Sequence, residues 1–379
     1  MKFKIPQGEF TKLLIFANKS LLAKANLPIL ANILISATKG RLEVVSTNLE
    51  TATKVACECD VEIEGKVAIP GKLLLEFVSQ LPDADLVFEK LGEEAVVSTK
   101  RYSGRFATQP VEDFPAIPKI DKGTSIMVAG ALLMKAIGRV AFCAAMDEGR
   151  PILTGVLCEL LKNSLSFVAT DGYRLSYQKI LVERAGEGGV KIVVPSKSIM
   201  EVGKIISELG EELGEGKVEI LVGDSLNQVN FKIGRVEYTS RLIEGTFPNW
   251  QKLIPASFTS KAKVSKEEFI KIVRVASIFA RDAGNIVKFK LESAGKAGGL
   301  ITSSAVNAQV GSNEASCEVE LNGAGGEIAF NFRYLLEMLS SVDSEEVEFE
   351  MIESLNPGRL TVPGDNDYFH IVMPVRLQS

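Results

Sequence analysis

Basic side chains recur at matching places on the amphipathic helix patterns of this chain. Three patterns begin near Phe10, Leu133 and Phe269, and each carries Lys or Arg opposite its apolar stripe. A second set of helix patterns begins with Lys or Arg two residues after a strand end. Cations that line one surface attract a polyanion along its length without reading a sequence. The cations in both sets are Lys12, Lys19, Lys135, Arg139, Lys271, Arg274, Lys72, Lys197 and Arg333.

These helix patterns belong to a faint threefold repeat. Its interval, roughly 125–135 residues, exceeds a solenoid unit and matches a whole domain. One basic helix face is usually only solvated, but three equivalent faces would line one surface if the copies surround an axis. Each copy also has a Ser or Thr turn and a closing strand. We place the turns at Ser46-Thr-Asn-Leu-Glu, Ala169-Thr-Asp-Gly-Tyr-Arg-Leu and Ile301-Thr-Ser-Ser-Ala.

The elements that must position these residues are mostly strands. Alternation at Lys217-Val-Glu-Ile-Leu-Val and Val347-Glu-Phe-Glu-Met-Ile indicates half-buried strands. Gly, Asp and Asn turns between such runs favour antiparallel pairing. Two helices on one face of each sheet predict an α+β domain. Because Pro favours extended backbone, Phe114–Gly123 and Phe247–Pro255 read as linkers. The predicted domains are therefore 1–120, 121–253 and 254–379.

The composition limits the possible classes of protein. The chain has 379 residues, of which 46% are hydrophobic and 24% charged, as in ordinary globular proteins. A net charge of −5 excludes a uniformly basic nucleic-acid binder but allows a local basic face. The 5 Cys lack framework spacing, which predicts reduced thiols in a cytoplasm. We find no signal-peptide pattern and no apolar run approaching the roughly 18 residues of a membrane span.

Catalytic patterns are scarce. The single His, His370, lies in an apolar strand pattern, so Ser-His-Asp, Cys-His and zinc-His arrangements have no support. No phosphate-binding glycine loop is present. Cys57 and Cys59 share one strand face but lack further ligands at suitable spacing. We predict no cofactor and no metal site, although abundant carboxylates leave a carboxylate-based metal site open.

Two segments are larger or more apolar than their local structure needs. Thr170-Asp-Gly-Tyr-Arg-Leu is a turn pattern, yet Tyr173 and Arg174 are large for a turn. The carboxy-terminal Met373-Pro-Val-Arg-Leu-Gln-Ser is apolar for a chain end, which normally frays unless it is docked. The simpler interpretation of this end is a strand that completes its domain.

At these motifs the chain strongly resembles the bacterial DNA polymerase III β subunit family, the sliding clamps. The resemblance covers the chain from end to end, in family order. It rests on Leu27-Pro-Ile-Leu-Ala-Asn-Ile-Leu-Ile, Glu112-Asp-Phe-Pro, Arg150-Pro-Ile-Leu-Thr-Gly-Val, Thr170-Asp-Gly-Tyr-Arg-Leu, Phe247-Pro-Asn-Trp, Asn331-Phe-Arg-Tyr-Leu-Leu and Met373-Pro-Val-Arg-Leu.

The resemblance implies three clamp domains per subunit and a head-to-tail homodimer, a closed ring with helices inside and sheets outside. Such a ring encircles duplex DNA without sequence preference and has no enzymatic activity. Its partners would be the DNA polymerase III alpha subunit, the clamp loader, other DNA polymerases and repair proteins. No association with a membrane is expected. The resemblance gives Lys24, Lys72, Arg150 and Lys197 as DNA-binding residues, and the helix patterns add Lys135, Arg139, Lys271 and Arg274.

The family also has a peptide pocket in each subunit, between the second and third domains, where partners insert a short apolar motif. By motif, its residues here are Leu153, Thr170, Gly172, Tyr173, Arg174, Leu175, Pro248, Lys252, Leu253, Asn331, Tyr334, Leu355, Ile371, Met373, Pro374, Val375, Arg376 and Leu377. Apolar and aromatic anchors at one site are what a short peptide needs for affinity.

The chain departs from the family pattern at three places. Tyr173 stands where the family commonly has His, Trp250 replaces a usual Tyr, and Gln378 and Ser379 extend the usual ending. Three hypotheses are kept: a non-enzymatic clamp, a carboxylate-dependent metal enzyme and a scaffold that binds only proteins.

Overall fold

The protein is described by a computed structural model covering residues 1–22, 27–117, 120, 122–147, 149–161, 163–182, 189–214, 216–224, 227–294 and 298–376. Within these ranges the same order of elements occurs three times along the chain. A strand and a helix come first, followed by a group of strands, a second helix and three closing strands. The first amphipathic pattern of every copy and the pattern after its strand end both form helices, as the sequence predicts.

The first copy contains nine strands and two helices among the described residues. Its bounds are β1 Lys2–Pro6, α1 Gln7–Ala17, β2 Asn32–Thr38, β3 Arg41–Thr47, β4 Thr51–Glu58, β5 Asp60–Ile63, β6 Gly65–Pro70, α2 Gly71–Gln80, β7 Asp85–Leu91, β8 Glu94–Ser98 and β9 Ser103–Ala107.

The second and third copies continue the same order. The second has β10 Gly123–Ala129, α3 Gly130–Val140, β11 Gly155–Leu161, β12 Ser164–Thr170, β13 Arg174–Leu181, β14 Val190–Pro195, α4 Ser196–Leu209, β15 Lys217–Gly223, β16 Gln228–Ile233 and β17 Val236–Arg241. The third has β18 Ser260–Ser265, α5 Lys266–Ala280, β19 Ile286–Ser293, β20 Gly298–Asn307, β21 Gly311–Gly323, β22 Gly326–Asn331, α6 Phe332–Ser341, β23 Glu346–Met351, β24 Gly358–Val362 and β25 Asp365–Val372.

The chain divides into two compact units, and the first contains two sheets. This unit comprises Met1–Met134, Val182–Gly188 and Lys197–Leu242. Its five-stranded sheet has the order β5-β1-β7-β8-β9. Its eight-stranded sheet, β10-β15-β16-β17-β4-β3-β2-β6, joins strands of the first and second copies. All the pairs are antiparallel, as the sequence predicts.

The second unit comprises Lys135–Leu181, Gly189–Ser196 and Ile243–Ser379. It contains one twelve-stranded antiparallel sheet with the order β14-β11-β12-β13-β25-β24-β23-β18-β21-β20-β19-β22. This sheet joins strands of the second and third copies through the β13–β25 pair, in which Leu175 lies opposite Ile371. The predicted boundaries near 120 and 253 remain predictions, since the two compact units follow the sheets instead.

Helices pack on the sheets through buried apolar faces. In the third copy, Phe269, Val273 and Ala276 of α5 and Leu335 of α6 are at most 1% exposed in one continuous core. Spacing of three and four residues puts the α5 residues on one helical face, which is why that face packs against strands. The prediction of three tandem α+β copies with antiparallel sheets and two α-helices each is confirmed among the described residues.

The turns of the first and second copies lie where the sequence predicts them, but the third does not. Ile301-Thr-Ser-Ser-Ala lies inside β20, and the chain turns at Asn307–Gly311 instead. Asn307 Oδ1 accepts a hydrogen bond from the Gln309 amide at 2.9 Å. The prediction was wrong because Thr also favours β-strands, and here the run lies within β20, which is paired on both sides. The third copy therefore has a longer hairpin.

Candidate functional site

The turn between β12 and β13 is fixed by side-chain hydrogen bonds to its own backbone. Thr170 Oγ1 accepts from the Gly172 amide at 3.0 Å and donates to the Arg174 carbonyl at 2.6 Å. Asp171 Oδ1 accepts from the amides of Tyr173 and Arg174 at 2.9 and 3.1 Å. Gly172 has a φ of 95°, a conformation that side chains disfavour. The turn therefore presents the Tyr173 side chain, 62% exposed, from a fixed backbone.

Arg174 ties this turn to the helical elements around it. Its guanidinium donates to Asp171 Oδ2 at 3.0 Å and to the Phe142 carbonyl at 2.9 Å, and it pairs with Glu337 of α6. It also lies 4.6 Å from the centre of the Tyr334 ring. Burial by itself lowers the pKa of Arg174, but ion pairing with Glu337 and Asp171 reverses the effect, so the group stays charged.

The beginning of α6 and the carboxy-terminal segment lie beside the same strands. Asn331 caps α6 by accepting the Arg333 amide at 3.0 Å. The Met373 amide donates to the Tyr173 carbonyl, and the Val375 amide donates to the Ala329 carbonyl, both at 2.8 Å. Residues 373–376 are therefore docked on the turn and on β22, which explains why this end is apolar. Leu377 lies outside the described residues.

An apolar floor underlies the turn. Leu153, Leu175 and Ile371 are at most 6% exposed and share one cluster with Phe247 and Trp250. These three predicted pocket residues lie in the floor beneath the turn, and their contact with a peptide stays a prediction. The Trp250 ring lies 5.3 Å from the Tyr177 ring, which stacks on Phe369 at 4.8 Å. Of the remaining predicted residues, Leu253 is half-buried, while Pro248, Lys252 and Leu355 are exposed.

Sequence reasoning missed three residues of this site. Asp171, Phe142 and Glu337 hold Arg174, yet none was predicted. Asp171 could have been found, because Thr-Asp-Gly is a side-chain-capped turn pattern. Glu337 follows Tyr334 by three residues and so shares its helix face, which is a weaker signal. Phe142 contributes its backbone carbonyl and its ring, for which the sequence holds no signal.

Most of the predicted cations are exposed. Lys72 and Lys197 are the second residues of α2 and α4, and both are exposed. Arg274 is exposed on α5, and Lys271 pairs with Glu267 at 2.6 Å. Lys135 lies 4.0 Å from Asp365, with its side chain 47% exposed. Lys24 lies outside the described residues.

The side chain of Arg150 is exposed and also contacts the turn between β12 and β13. Its Nη2 donates to the Asp171 carbonyl at 3.0 Å, so it braces the Thr170–Arg174 turn from outside. Its other guanidinium N–H groups have no hydrogen-bond partner among the described residues and could bind a phosphate or a carboxylate.

Arg139 is not available to a ligand, which corrects the prediction made from its helix pattern. Its side chain is 4% exposed and donates to Asp365 at 2.6 Å and to Gln178 at 2.9 Å. Its guanidinium also lies 4.7 Å from the centre of the Tyr368 ring. The charge is thus neutralised inside the unit. The four-residue spacing from Lys135 suggested a shared solvent face, but Arg139 folds inward against β13 and β25.

Buried titratable groups near the turn are structural. His370 is fully buried, and its Nδ1 lies 3.1 Å from Ser176 Oγ. Burial, assisted by the positive charge of Arg174, lowers the pKa of His370 to about 3. Burial raises the pKa of the Cys143 thiol, so this neighbour is a weak nucleophile. All five cysteines are free.

Two structural features are absent from the described residues. In the described ranges no three His, Cys, Asp or Glu side chains converge as a metal site would require. None of the helices in those ranges has the length and apolarity needed to cross a bilayer.

A threefold succession of α+β units with paired helices, basic residues on exposed helix faces and a braced apolar site defines the DNA-clamp class. Profiles of DNA polymerase III beta subunit domains match the chain: N-terminal at residues 1–118, central at 127–249 and C-terminal at 251–376. The chain belongs to this family, the bacterial β sliding clamps. Its function is that of a DNA sliding clamp, a processivity factor that catalyses no reaction.

Relatives and solved structures cover the chain fully. The beta sliding clamp of Synechocystis sp. is 29% identical, with 100% of both chains covered. That of Staphylococcus aureus is 26% identical over 99% of both. The crystal structure of the Thermotoga maritima beta subunit has a TM-score of 0.90 at 27% identity, covering 100% of both chains. A Pseudomonas aeruginosa clamp bound to griselimycin has a TM-score of 0.92 at 25% identity, with the same coverage.

Proposed function

We propose that this sliding clamp works as a head-to-tail homodimer whose closed ring surrounds duplex DNA in the cytoplasm. Each subunit would contribute domains 1–120, 121–253 and 254–379. The ring tethers the DNA polymerase III alpha subunit, the clamp loader, other DNA polymerases and repair proteins through the site at Thr170–Arg174. Phosphate contacts that ignore base sequence allow the ring to slide.

Sheet pairing is the single observation that carries the homodimer. Strand β4 of the first copy pairs with β17, the last strand of the second, with Ala52 opposite Thr239. Strand β13 pairs in the same way with β25, the last strand of the third copy. Strand β9 is last in the first copy and forms a sheet edge among the described residues. In the third copy the strand that corresponds to β4 and β13 is β21. On the side away from β20, it pairs with β18 only through Glu320–Gly323, so its first half is open on that side among the described residues.

Two open strand edges of matching type favour pairing between subunits, because unpaired backbone donors and acceptors recruit another strand. Joining β9 of one subunit to the first half of β21 in the next repeats the β4–β17 and β13–β25 pattern. Two such joints close a ring of two chains. The joints are equivalent, so the dimer has the twofold symmetry common among oligomers.

Exposed cations support the DNA-facing role of the helices. Lys72 and Lys197 occupy the same position at the start of the second helix in their copies, and both are exposed. The chain as a whole is acidic, with a net charge of −5. Acidic outer surfaces would repel DNA, which favours binding at the basic helix faces alone.

The peptide site is supported by rigid architecture and by exposed apolar groups. The backbone around Tyr173 is fixed by Thr170 and Asp171, so little ordering is needed when a peptide binds. Exposed Tyr173 offers an aromatic anchor, and the docked segment 373–376 forms the edge beside it.

Two measurements test the homodimer: the molar mass in solution gives the number of chains, and amide hydrogen exchange reports whether the proposed edge strands are paired. Light scattering at micromolar concentration should give the mass of two chains. Amides of β9 and of the first half of β21 should be protected in that dimer and should lose protection on dilution to monomer. A single-chain mass at every concentration, or a dimer in which both strands exchange freely, contradicts the proposed joints.

A further inference from the structure

The first copy contains a second version of the Thr170–Arg174 turn. Thr47 Oγ1 accepts from the Leu49 amide at 3.0 Å and donates to the Thr51 carbonyl at 2.9 Å. Asn48 Oδ1 accepts from the Thr51 amide at 2.6 Å, as Asp171 accepts at the other turn. Leu49 even has a φ of 75°, at the position where the other turn has glycine. The two turns therefore have the same backbone and the same hydrogen bonds.

The strands beside the two turns also correspond. At the first turn Ala52 lies opposite Thr239, and Lys54 lies opposite Glu237. The corresponding pairs at the second turn are Leu175 with Ile371 and Tyr177 with Phe369. Each site is also bordered by a Pro-containing linker, Phe114-Pro-Ala-Ile at the first and Phe247-Pro-Asn-Trp at the second.

The two sites differ in how the space beneath the linker is filled. At the second site Phe247 and Trp250 are only 4% and 7% exposed, and Trp250 packs near Tyr177. At the first site Ile117 stands in place of Trp250, and Phe114 and Ile117 are only half-buried. A cavity of about 630 Å³ lies between Val111–Ile117 and the sheet, and a cavity of about 300 Å³ lies next to it.

The two cavities form one groove. Both are lined by Ala52, Thr239 and the linker residues Pro115, Ala116 and Ile117. The larger extends over β3, β4 and β17 toward Lys66, and the smaller extends past the Thr47–Thr51 turn toward Arg241. An extended segment can therefore lie across the sheet beneath the linker, with one end near each cation.

Cations lie at both ends of the groove, while its lining as a whole is balanced, with Glu43, Glu50 and Glu237 against Lys54, Lys66 and Arg241. Lys54 is already neutralised by Glu237 at 3.2 Å and Glu43 at 3.7 Å. Lys66 and Arg241, one at each end, are exposed and form no ion pair with a described residue. Gln228 lines the smaller cavity, and its Oε1 atom is buried and has no hydrogen-bond partner among the described residues. A buried acceptor of this kind needs a donor such as a peptide N–H.

We propose that this groove is a second peptide-binding site, for a short extended segment of a partner protein. The segment has an apolar side chain under Pro115–Ile117 and carboxylates near Lys66 and Arg241. A backbone N–H of the segment donates to Gln228 once this side chain turns its Oε1 atom toward the cavity. The peptide class of the ligand rests on the proposed function of the corresponding turn. The site discriminates against a purely apolar motif, because Lys54 and Glu237 replace the aromatic pair Tyr177 and Phe369 in its floor.

The test uses the full-length protein and a fluorescein-labelled peptide, Gly-Asp-Leu-Ala-Leu-Glu-Gly, followed by fluorescence anisotropy. We expect saturable binding to the wild type and at least about tenfold weaker binding to the Lys66→Glu/Arg241→Glu variant, a change of about 1.4 kcal/mol. Lys232→Glu is the matched control, since Lys232 is an exposed lysine on β16 that lines neither cavity. Both variants change surface residues, and circular dichroism checks their folding.

A second variant fills the groove. Ile117→Trp places at the first linker the residue found at the second, and it should abolish binding of the acidic peptide. Tyr173→Ala should leave that binding unchanged while weakening a peptide copied from a client polymerase. This separates the two proposals, because failure of the client peptide alone concerns the Thr170–Arg174 site.

Three results overturn the second site: no binding of the acidic peptide to the wild type, equal binding to Lys66→Glu/Arg241→Glu, or loss of binding in Tyr173→Ala. A peptide with Lys in place of Asp and Glu should not bind. Equal affinity for that peptide also overturns the inference, because the assigned charges then play no part.

Discussion

The guanidinium of Arg174 lies 4.6 Å from the centre of the Tyr334 ring and joins the β12–β13 turn to helix α6. The same group reaches Asp171, Glu337 and the Phe142 carbonyl. One side chain thus holds the turn, the segment that follows α3 and helix α6 in a single arrangement. A peptide that binds beside Tyr173 would meet a surface prepared before it arrives.

Replacing Arg174 with Ala should destabilise the protein and weaken client-peptide binding together. It leaves Asp171 and Glu337 without their partner, and breaking such a buried pair costs about 3–5 kcal/mol, discounted here because Glu337 is partly exposed. Urea denaturation measures the first effect and peptide titration the second. Lys179→Ala is the control, since its exposed pair with Asp367 is worth at most about 1 kcal/mol. Equal loss of stability in both variants contradicts the bracing role.

Tyr173→Ala should separate binding from stability. The ring is 62% exposed, so its removal should change the free energy of unfolding by less than about 0.5 kcal/mol. Removal of an aromatic anchor should still weaken client-peptide affinity by about 2 kcal/mol, roughly thirtyfold. Tyr102→Ala, at a tyrosine 52% exposed in the first unit, is the matched control. Unchanged affinity in Tyr173→Ala rules out this residue as an anchor.

Lys72 and Lys197 should determine part of the salt dependence of DNA association. Each phosphate contact contributes about 0.9 to the slope of log K against log salt, so the Lys72→Ala/Lys197→Ala variant should lose about 2 from that slope for each subunit whose two lysines contact phosphates. The measurement is association of the loaded protein with duplex DNA over a salt series. An unchanged slope means that these two cations do not face phosphates.

Arg139→Ala is the contrasting case. Arg139 is buried against Asp365, so its loss should lower the free energy of unfolding by about 3 kcal/mol. The slope of log K against log salt should be unchanged for the fraction that remains folded. A reduced slope with normal stability would restore Arg139 as a DNA contact and contradict its buried position.

His370 should make the protein less stable as pH falls below neutrality. Its folded-state pKa of about 3 lies below the ordinary value of 6.5, so the unfolded chain takes up the proton first. The stability is complete above pH 6.5 and declines from there toward pH 3. At pH 5 the loss is about 2 kcal/mol relative to pH 7.5. Urea titrations of the wild type and His370→Asn at both pH values isolate this effect, and equal pH dependence in the two proteins argues against it.

The sequence predicted the repeated elements because their signals are local. Helix periodicity, Asp-Gly turns and alternating strands depend on neighbours within a few residues. The Thr170-Asp-Gly-Tyr-Arg motif similarly revealed its own turn. Failures arose where partners lie far apart in the chain. The position of Arg139 was decided by Asp365 and Tyr368, and no helix pattern near residue 139 carries that information.

The site itself divides in the same way. Tyr173 and the apolar carboxy-terminal segment stood out from their local surroundings. Glu337 and Phe142 did not, because they matter only through their contacts with Arg174. The groove under Val111–Ile117 could not be predicted from the sequence either, because a cavity forms where side chains from distant parts of the chain leave space unfilled. Ile117 and Trp250 are corresponding residues of the two linkers. Their difference in size explains the groove only once the structure shows how each linker packs on its sheet.

Retention on circular DNA tests the central proposal most directly. The protein is loaded onto nicked circular duplex DNA, separated from free protein by gel filtration, and half of the sample is linearised with a restriction enzyme. A closed ring predicts that the protein stays with the circle and leaves after linearisation by sliding off the ends. Equal retention on circular and linear DNA contradicts encirclement, because binding would then depend on surface contacts alone.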